Sequence, residues 1–141
     1  MKLGPVPATL LGSAMLLSGA AGNSKVTYIG HDKVAQGGTL VTAPDLTVLM
    51  IHRSGPGQVE VHDKETDTFH VLNGEATLVT GGKMAGGHVS APNQQRGSAI
   101  TGGELHQLSK GDVIVIPAGI PHWFKEVPRS IDYYVVKVIK P

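Results

Sequence analysis

Gly111-Asp112-Val113-Ile114-Val115-Ile116-Pro117-Ala118-Gly119-Ile120-Pro121-His122 is the stretch whose reading decides the fold. Gly111-Asp112 marks a turn, and the unbroken β-type run Val113 to Ile116 reads as the buried body of a short strand. Two prolines around Gly119 then reverse the chain, since proline fixes φ and glycine accepts backbone that other residues resist. The reversal presents His122 at the start of the next strand, Trp123 to Glu126.

Working outward, the same alternation of short strands and turn signals recurs. Val26 to Ile29 is a brief β-type run, and His31 to Gln36 can form one helical turn before Gly37-Gly38 stops it. Leu40 to Thr42 and Leu46 to His52 read as strands joined by Ala43-Pro44-Asp45. Gln58 to His62 alternates strictly, so Glu60 and His62 share one face and Val59 and Val61 the other. Thr68 to Leu72 and Glu75 to Thr80 flank Asn73-Gly74, the strongest short hairpin signal in the chain. Leu105 to Leu108 and Ile131 to Ile139 complete the set. The last run is long and apolar enough to expose an edge or face unless something covers it, which leads us to expect a homodimer.

Gly81 to Gly103 is rich in glycine and polar residues and holds no sustained period, so it reads as a long loop or a loose hairpin. It is either a solvated connector or a flap whose Asn93, Gln94, Gln95 or Arg96 contacts a polar ligand. With many short strands, no long amphipathic helix and no internal repeat, the chain is expected to be all-β, a sandwich or barrel.

Composition narrows the function classes. The chain has 141 residues, enough for one core, and its 40% hydrophobic and 16% charged content suits a globular domain. A formal net charge of +1 without a basic run argues against nucleic acid as partner. No cysteine is present, so thiolate metal sites, disulfides and cysteine nucleophiles are excluded. Met1 to Gly22 carries Lys2, a soft apolar stretch from Ala8 to Leu17 and then small residues, the order of a secretory signal peptide. Cleavage after Ala20 or Ala21 would export the remainder, in which residues 23–141 form a single domain. The apolar stretch is too short to serve as a permanent membrane anchor.

Gly111, Pro117, Gly119 and His122 fall without a gap into G-x5-P-x-G-x2-H-x3-N, with Glu126 in place of the final Asn. In this the chain resembles the cupin family, whose first motif is a glycine, His-x-His, three or four residues, Glu, six residues and Gly. Counting back from Gly74 puts Asp67 at the Glu position and His62 at the second His, with Glu60 in place of the first. The alternative register would set Lys64 among the ligands. The resemblance spans about Ser54 to Glu126 and implies a cupin-type antiparallel β-barrel, a double-stranded β-helix or jelly-roll. It also implies one divalent metal ion held by Glu60, His62, Asp67 and His122, and a homodimer.

Two imidazoles with one or two carboxylates, and no sulfur, suit Fe, Mn, Ni, Zn or Cu. Glu60 is read either as a ligand or as the hydrogen-bond partner of a ligand histidine, and Asp67 either as a ligand or as a turn residue. His70 follows Asp67 by three and points to the opposite strand face. His52 could reach the barrel interior, while His31, His88 and His106 are expected to be solvated, and Trp123 to serve packing. Two functions follow: a mononuclear metal-dependent enzyme acting on a small molecule by oxygenase, isomerase or lyase chemistry, or a non-catalytic module binding a small ligand or metal.

Overall fold

The computed structural model describes residues 25–141, so the expected signal segment lies outside the described residues. A one-turn helix α1 (His31–Ala35) precedes the strands β1 (Gly38–Thr42), β2 (Leu46–Arg53), β3 (Val59–His62) and β4 (Glu65–Thr80). A ribbon of four short strands follows: β5 (Lys83–Ala85), β6 (His88–Ala91), β7 (Gln94–Gly97) and β8 (Ala99–Thr101). The chain ends with β9 (Glu104–Ser109), β10 (Val113–Ile116), β11 (His122–Glu126) and β12 (Ile131–Ile139).

Every pairing is antiparallel, and the main sheet runs β1-β2-β12-β4-β11-β3-β7-β6, with β9 and β10 also on β4. The sixteen-residue β4 makes this one sheet curl on itself. Its first half pairs with β10 and β12, its second half with β9 and β11, so the two faces of the jelly-roll share one strand. No described helix is long and apolar enough to cross a membrane.

Asn73-Gly74, expected as a hairpin turn, is instead the corner of β4. Gly74 has φ of 79°, and a β-carbon there would stand 2.0 Å from the Ser130 carbonyl oxygen. The positive φ of Gly74 serves close backbone approach rather than chain reversal, because β12 before the corner and β9 after it supply ladder partners.

The core lies between the curled halves. Phe69 and Phe124 stack at 5.8 Å between centroids, and Tyr133 sits 5.2 Å from each ring. Around them Val71, Leu78 and Ile131 are buried. Each such side chain stabilises the fold by about 1.5–3 kcal/mol through burial.

Two other expectations change. β10 is not a wholly buried strand: Ile116 is inside, while Val113 and Val115 are 61% and 57% exposed, because only one of its faces meets the core. β12 is no edge; it lies between β2 and β4 and buries Ile131, Tyr133 and Val135. On the sheet's outer face Val138 joins the two β10 valines as exposed apolar side chains. Residues 81–103 form a loose hairpin, in which β5 pairs with β8 and β6 with β7 around Asn93 at φ 61°. Its β7 strand also pairs with β3, so that part of the segment belongs to the sheet.

Candidate metal centre

Two turns and one register set the site. Gly119, with φ of 83°, donates its N–H to the His62 carbonyl at 2.8 Å, tying the Pro117–Ile120 reversal to the end of β3. His122 therefore opens β11 directly opposite Glu60 on β3. On β4, Asp67 lies one strand repeat before Phe69 and faces the same interior, 2% exposed.

Both histidines are oriented through Nδ1. His122 Nδ1 donates to the Ile120 carbonyl at 3.2 Å, and His62 Nδ1 donates to Gln94 Oε1. A neutral imidazole held this way carries its lone pair on Nε2. The two rings stand 5.1 Å apart, and both Nε2 atoms are buried without a hydrogen-bond partner. One orphaned buried polar atom costs about 1–3 kcal/mol, so two in neighbouring rings need an explanation. Burial lowers the His122 pKa to about 4, with the His62 charge acting the same way and the Ile120 hydrogen bond and Asp67 against it. The ring is neutral at pH 7 and able to ligate.

The carboxylates close the cluster. Glu60 Oε2 is 3.6 Å from Nε2 of both histidines, and Asp67 Oδ2 is 3.4 Å from His62 Nε2 and 3.9 Å from His122 Nε2. Ligand atoms of Glu60, His62 and His122 lie within 4.8 Å of one another, as do those of His62, Glu65 and Asp67. Metal–ligand bonds of about 2.0–2.2 Å set neighbouring ligands roughly 3–3.5 Å apart, so a small inward shift of these side chains would enclose an ion.

Several side chains at the site were not among the expected ligands. Lys137 Nζ donates to both Asp67 oxygens at 2.8 Å and to Glu65 Oε2 at 3.0 Å. Burial pushes the Glu65 pKa up, but the Lys137 hydrogen bond and charge, with His62 and Gln94, outweigh it and hold it below the usual value. Arg96 donates to Glu60 and Gln94 orients His62, so two of the four residues named for ligand contact in the 81–103 segment do reach the site. Gln95 instead turns away to Asp63. Extending the strand back from Thr68 to Glu65 would have put Glu65 on the Asp67 face, and alternation from Tyr133 would have done the same for Lys137.

The other histidines separate cleanly. His70 is exposed on the opposite face, as its spacing requires. His52 does not reach the interior: it lies on the outside and pairs with Asp132 at 2.6 Å, because β2 turns Ile51 and Arg53 inward. His106 hydrogen-bonds Thr80 Oγ1 at 2.8 Å and is only half-buried, while His31 and His88 are exposed. Trp123 donates Nε1–H to the Gly57 carbonyl at 2.8 Å and is held as a packing residue. His62 and the carboxylates Glu60, Glu65 and Asp67 line a cavity of about 440 Å³ that also holds Leu49, Ile51, Phe69, Phe124 and Val135, with His122 buried behind it.

Known structures resemble this fold. The BH2720 protein from Bacillus halodurans superposes with a TM-score of 0.58 at 15% identity, covering 84% of this chain and 86% of its own. The cupin domain of Schizosaccharomyces pombe Cnp3 gives 0.55 at 12% identity over 74% of this chain, which spans only 64% of that one. KdgF from a Halomonas species gives 0.53 at 16% identity, covering 74% and 78%. At these identities the likeness is one of fold. No curated protein sequence is significantly similar to the chain. The family model described as Cupin matches residues 23–137, more than half of the sequence, and with the barrel and its interior histidines this makes the chain a member of the cupin family.

Proposed function

We propose that this cupin holds one divalent metal ion, Fe, Mn, Ni, Zn or Cu, between His62, His122, Glu60 and Asp67, and acts on a small molecule that enters the adjoining cavity. The observation that carries the reading is the pair of buried, unpartnered Nε2 atoms of His62 and His122, with Glu60 Oε2 equidistant from both. A bound ion would polarise a chelating oxygen or acidify a coordinated water. The chain's own part is orientation and charge: Ile120 and Gln94 hold the imidazoles, Arg96 and Lys137 hold the carboxylates, and the Phe69–Phe124 floor limits access of bulk water. Oxygenase, isomerase and lyase chemistry all use such a centre.

The second reading is a binding module without turnover. It is favoured by Lys137, which occupies both oxygens of Asp67 and so competes with an ion for that carboxylate. We further propose that the protein is exported after removal of its first residues, and that the outer sheet face bearing Val113, Val115 and Val138 joins two copies.

Metal analysis of protein purified without added metal, followed by titration and a screen of small chelating substrates, tests the reading. About one ion per chain with turnover supports the enzyme, and binding of a small ligand or an ion without turnover supports the module. A chain that neither carries nor takes up a divalent ion overturns the metal reading.

A further inference from the structure

Arg53 stands apart from every other charged group in the cavity. Arg96 is matched by Glu60, and Lys137 by Glu65 and Asp67, whereas Arg53 forms no ion pair with any described carboxylate. Its one side-chain hydrogen bond runs from Nε to the Tyr133 hydroxyl at 3.4 Å, and its guanidinium carbon lies 4.8 Å from the Phe124 ring centroid. The Nη atoms at the end of the fork are left for another partner.

The guanidinium packs against the Gly57 backbone. A β-carbon on Gly57 would come within 2.7 Å of Arg53 Nη1, while the Gly57 backbone is pinned to β11 by the Phe124 carbonyl and the Trp123 indole. Arg96 lies close enough that the Arg53 charge adds to burial in lowering its pKa. Two cations therefore line the same cavity, and only Arg96 is paired there, with Glu60. Three cationic side chains line the cavity, Arg53, Arg96 and Lys137, against the three carboxylates Glu60, Glu65 and Asp67. A divalent ion on the histidines would leave two positive charges for a ligand to balance.

Position supplies the ligand's length. Phe124, over which Arg53 lies, is two residues beyond His122 on β11, about 7 Å along the strand. Phe69, Phe124, Leu49 and Ile51 supply apolar lining to the same cavity.

Resting on the metal reading above, we infer that the site takes a short two-ended acid: a chelating head on the metal side, and a distal carboxylate received by Arg53. Planar guanidinium and carboxylate pair through two parallel hydrogen bonds, and Tyr133 holds Nε so that the Nη edge faces the cavity. Arg53 is a specificity-determining residue in this scheme and takes no part in holding the ion.

Full-length protein is first titrated with Zn²⁺, then, zinc-loaded, with 2-hydroxyglutarate and with 2-hydroxypentanoate, which share the chelating head and differ only in the distal carboxylate. Wild type should bind 2-hydroxyglutarate at least tenfold more tightly. Arg53→Gln should erase that preference while leaving zinc affinity within about twofold, and Arg53→Lys, which keeps the charge without the fork, should retain part of it. Equal binding of the two acids by the zinc-loaded wild type, or an undiminished preference in either variant, overturns the inference. A wild-type chain that takes up no zinc in the first step overturns the metal reading, and this one with it.

Discussion

Lys137 and Asp67 face each other in register on β12 and β4, and the lysine Nζ lies 2.8 Å from both carboxylate oxygens. Asp67 is almost wholly buried, so the lysine is its cationic partner inside the barrel beside the histidines. Breaking such a pair leaves an uncompensated buried charge.

Lys137→Met is therefore expected to destabilise the metal-free protein by about 2–4 kcal/mol, less than a wholly buried pair because the lysine retains some solvent contact. Added divalent metal should restore more stability to this variant than to wild type, since Asp67 then gains another cation. Urea unfolding with and without metal measures both effects. Equal metal stabilisation of the two proteins would argue that Asp67 lies outside the ion's reach.

The histidine variants separate ligation from surface chemistry. His62→Ala and His122→Ala should each lower metal affinity by 100-fold or more, as an order of magnitude for a lost ligand, and Gln94→Leu by about 10- to 100-fold through loss of ring orientation. His70→Ala should leave affinity unchanged, because that ring is exposed on the outer face. Competition titration with a chelating dye reads all four.

Stability of the metal-free protein should fall as pH drops from about 6.5 to about 4. Over that window the His122 imidazole protonates in the unfolded chain and stays neutral in the folded one, whose pKa is lowered to about 4 by burial. Protons then favour unfolding, with a total loss on the order of 3 kcal/mol from this residue and no further loss below the folded pKa. His122→Gln should flatten that part of the stability profile. A profile identical to wild type would remove the residue from the pH response.

Gly74→Ala tests the corner of β4. The backbone there has φ of 79°, and the added carbon would meet the Ser130 carbonyl at 2.0 Å, so the β4–β12 ladder must shift. A loss of about 2–4 kcal/mol is expected in denaturant unfolding, well above the cost of an ordinary surface substitution. A change under about 0.5 kcal/mol would show that the corner yields easily.

How far the molecule could be read without its tertiary structure depended on the range of the forces involved. Proline and glycine act within a few residues, so the Gly111–His122 turn, the strand beginning at His122 and the shared face of Glu60 and His62 were all legible from spacing. Alternation likewise carried Asp67 and His70 to opposite faces. Asn73-Gly74 shows the limit of local reading: it signalled a hairpin turn, yet whether the chain would reverse depended on β12 and β9, which lie far off in sequence.

Longer-range matters needed the curled sheet. Arg53 meets Tyr133 across 80 positions, Asp67 meets Lys137 across 70, and Gln94 reaches His62 across 32, through strand pairings that no local pattern specifies. The sequence alone determined a strand-and-turn chain of the cupin pattern, with two histidines and two carboxylates at motif positions. Only the tertiary structure decided which charges face them, because Coulomb and hydrogen-bond partners are chosen by distance after folding and not by separation along the chain.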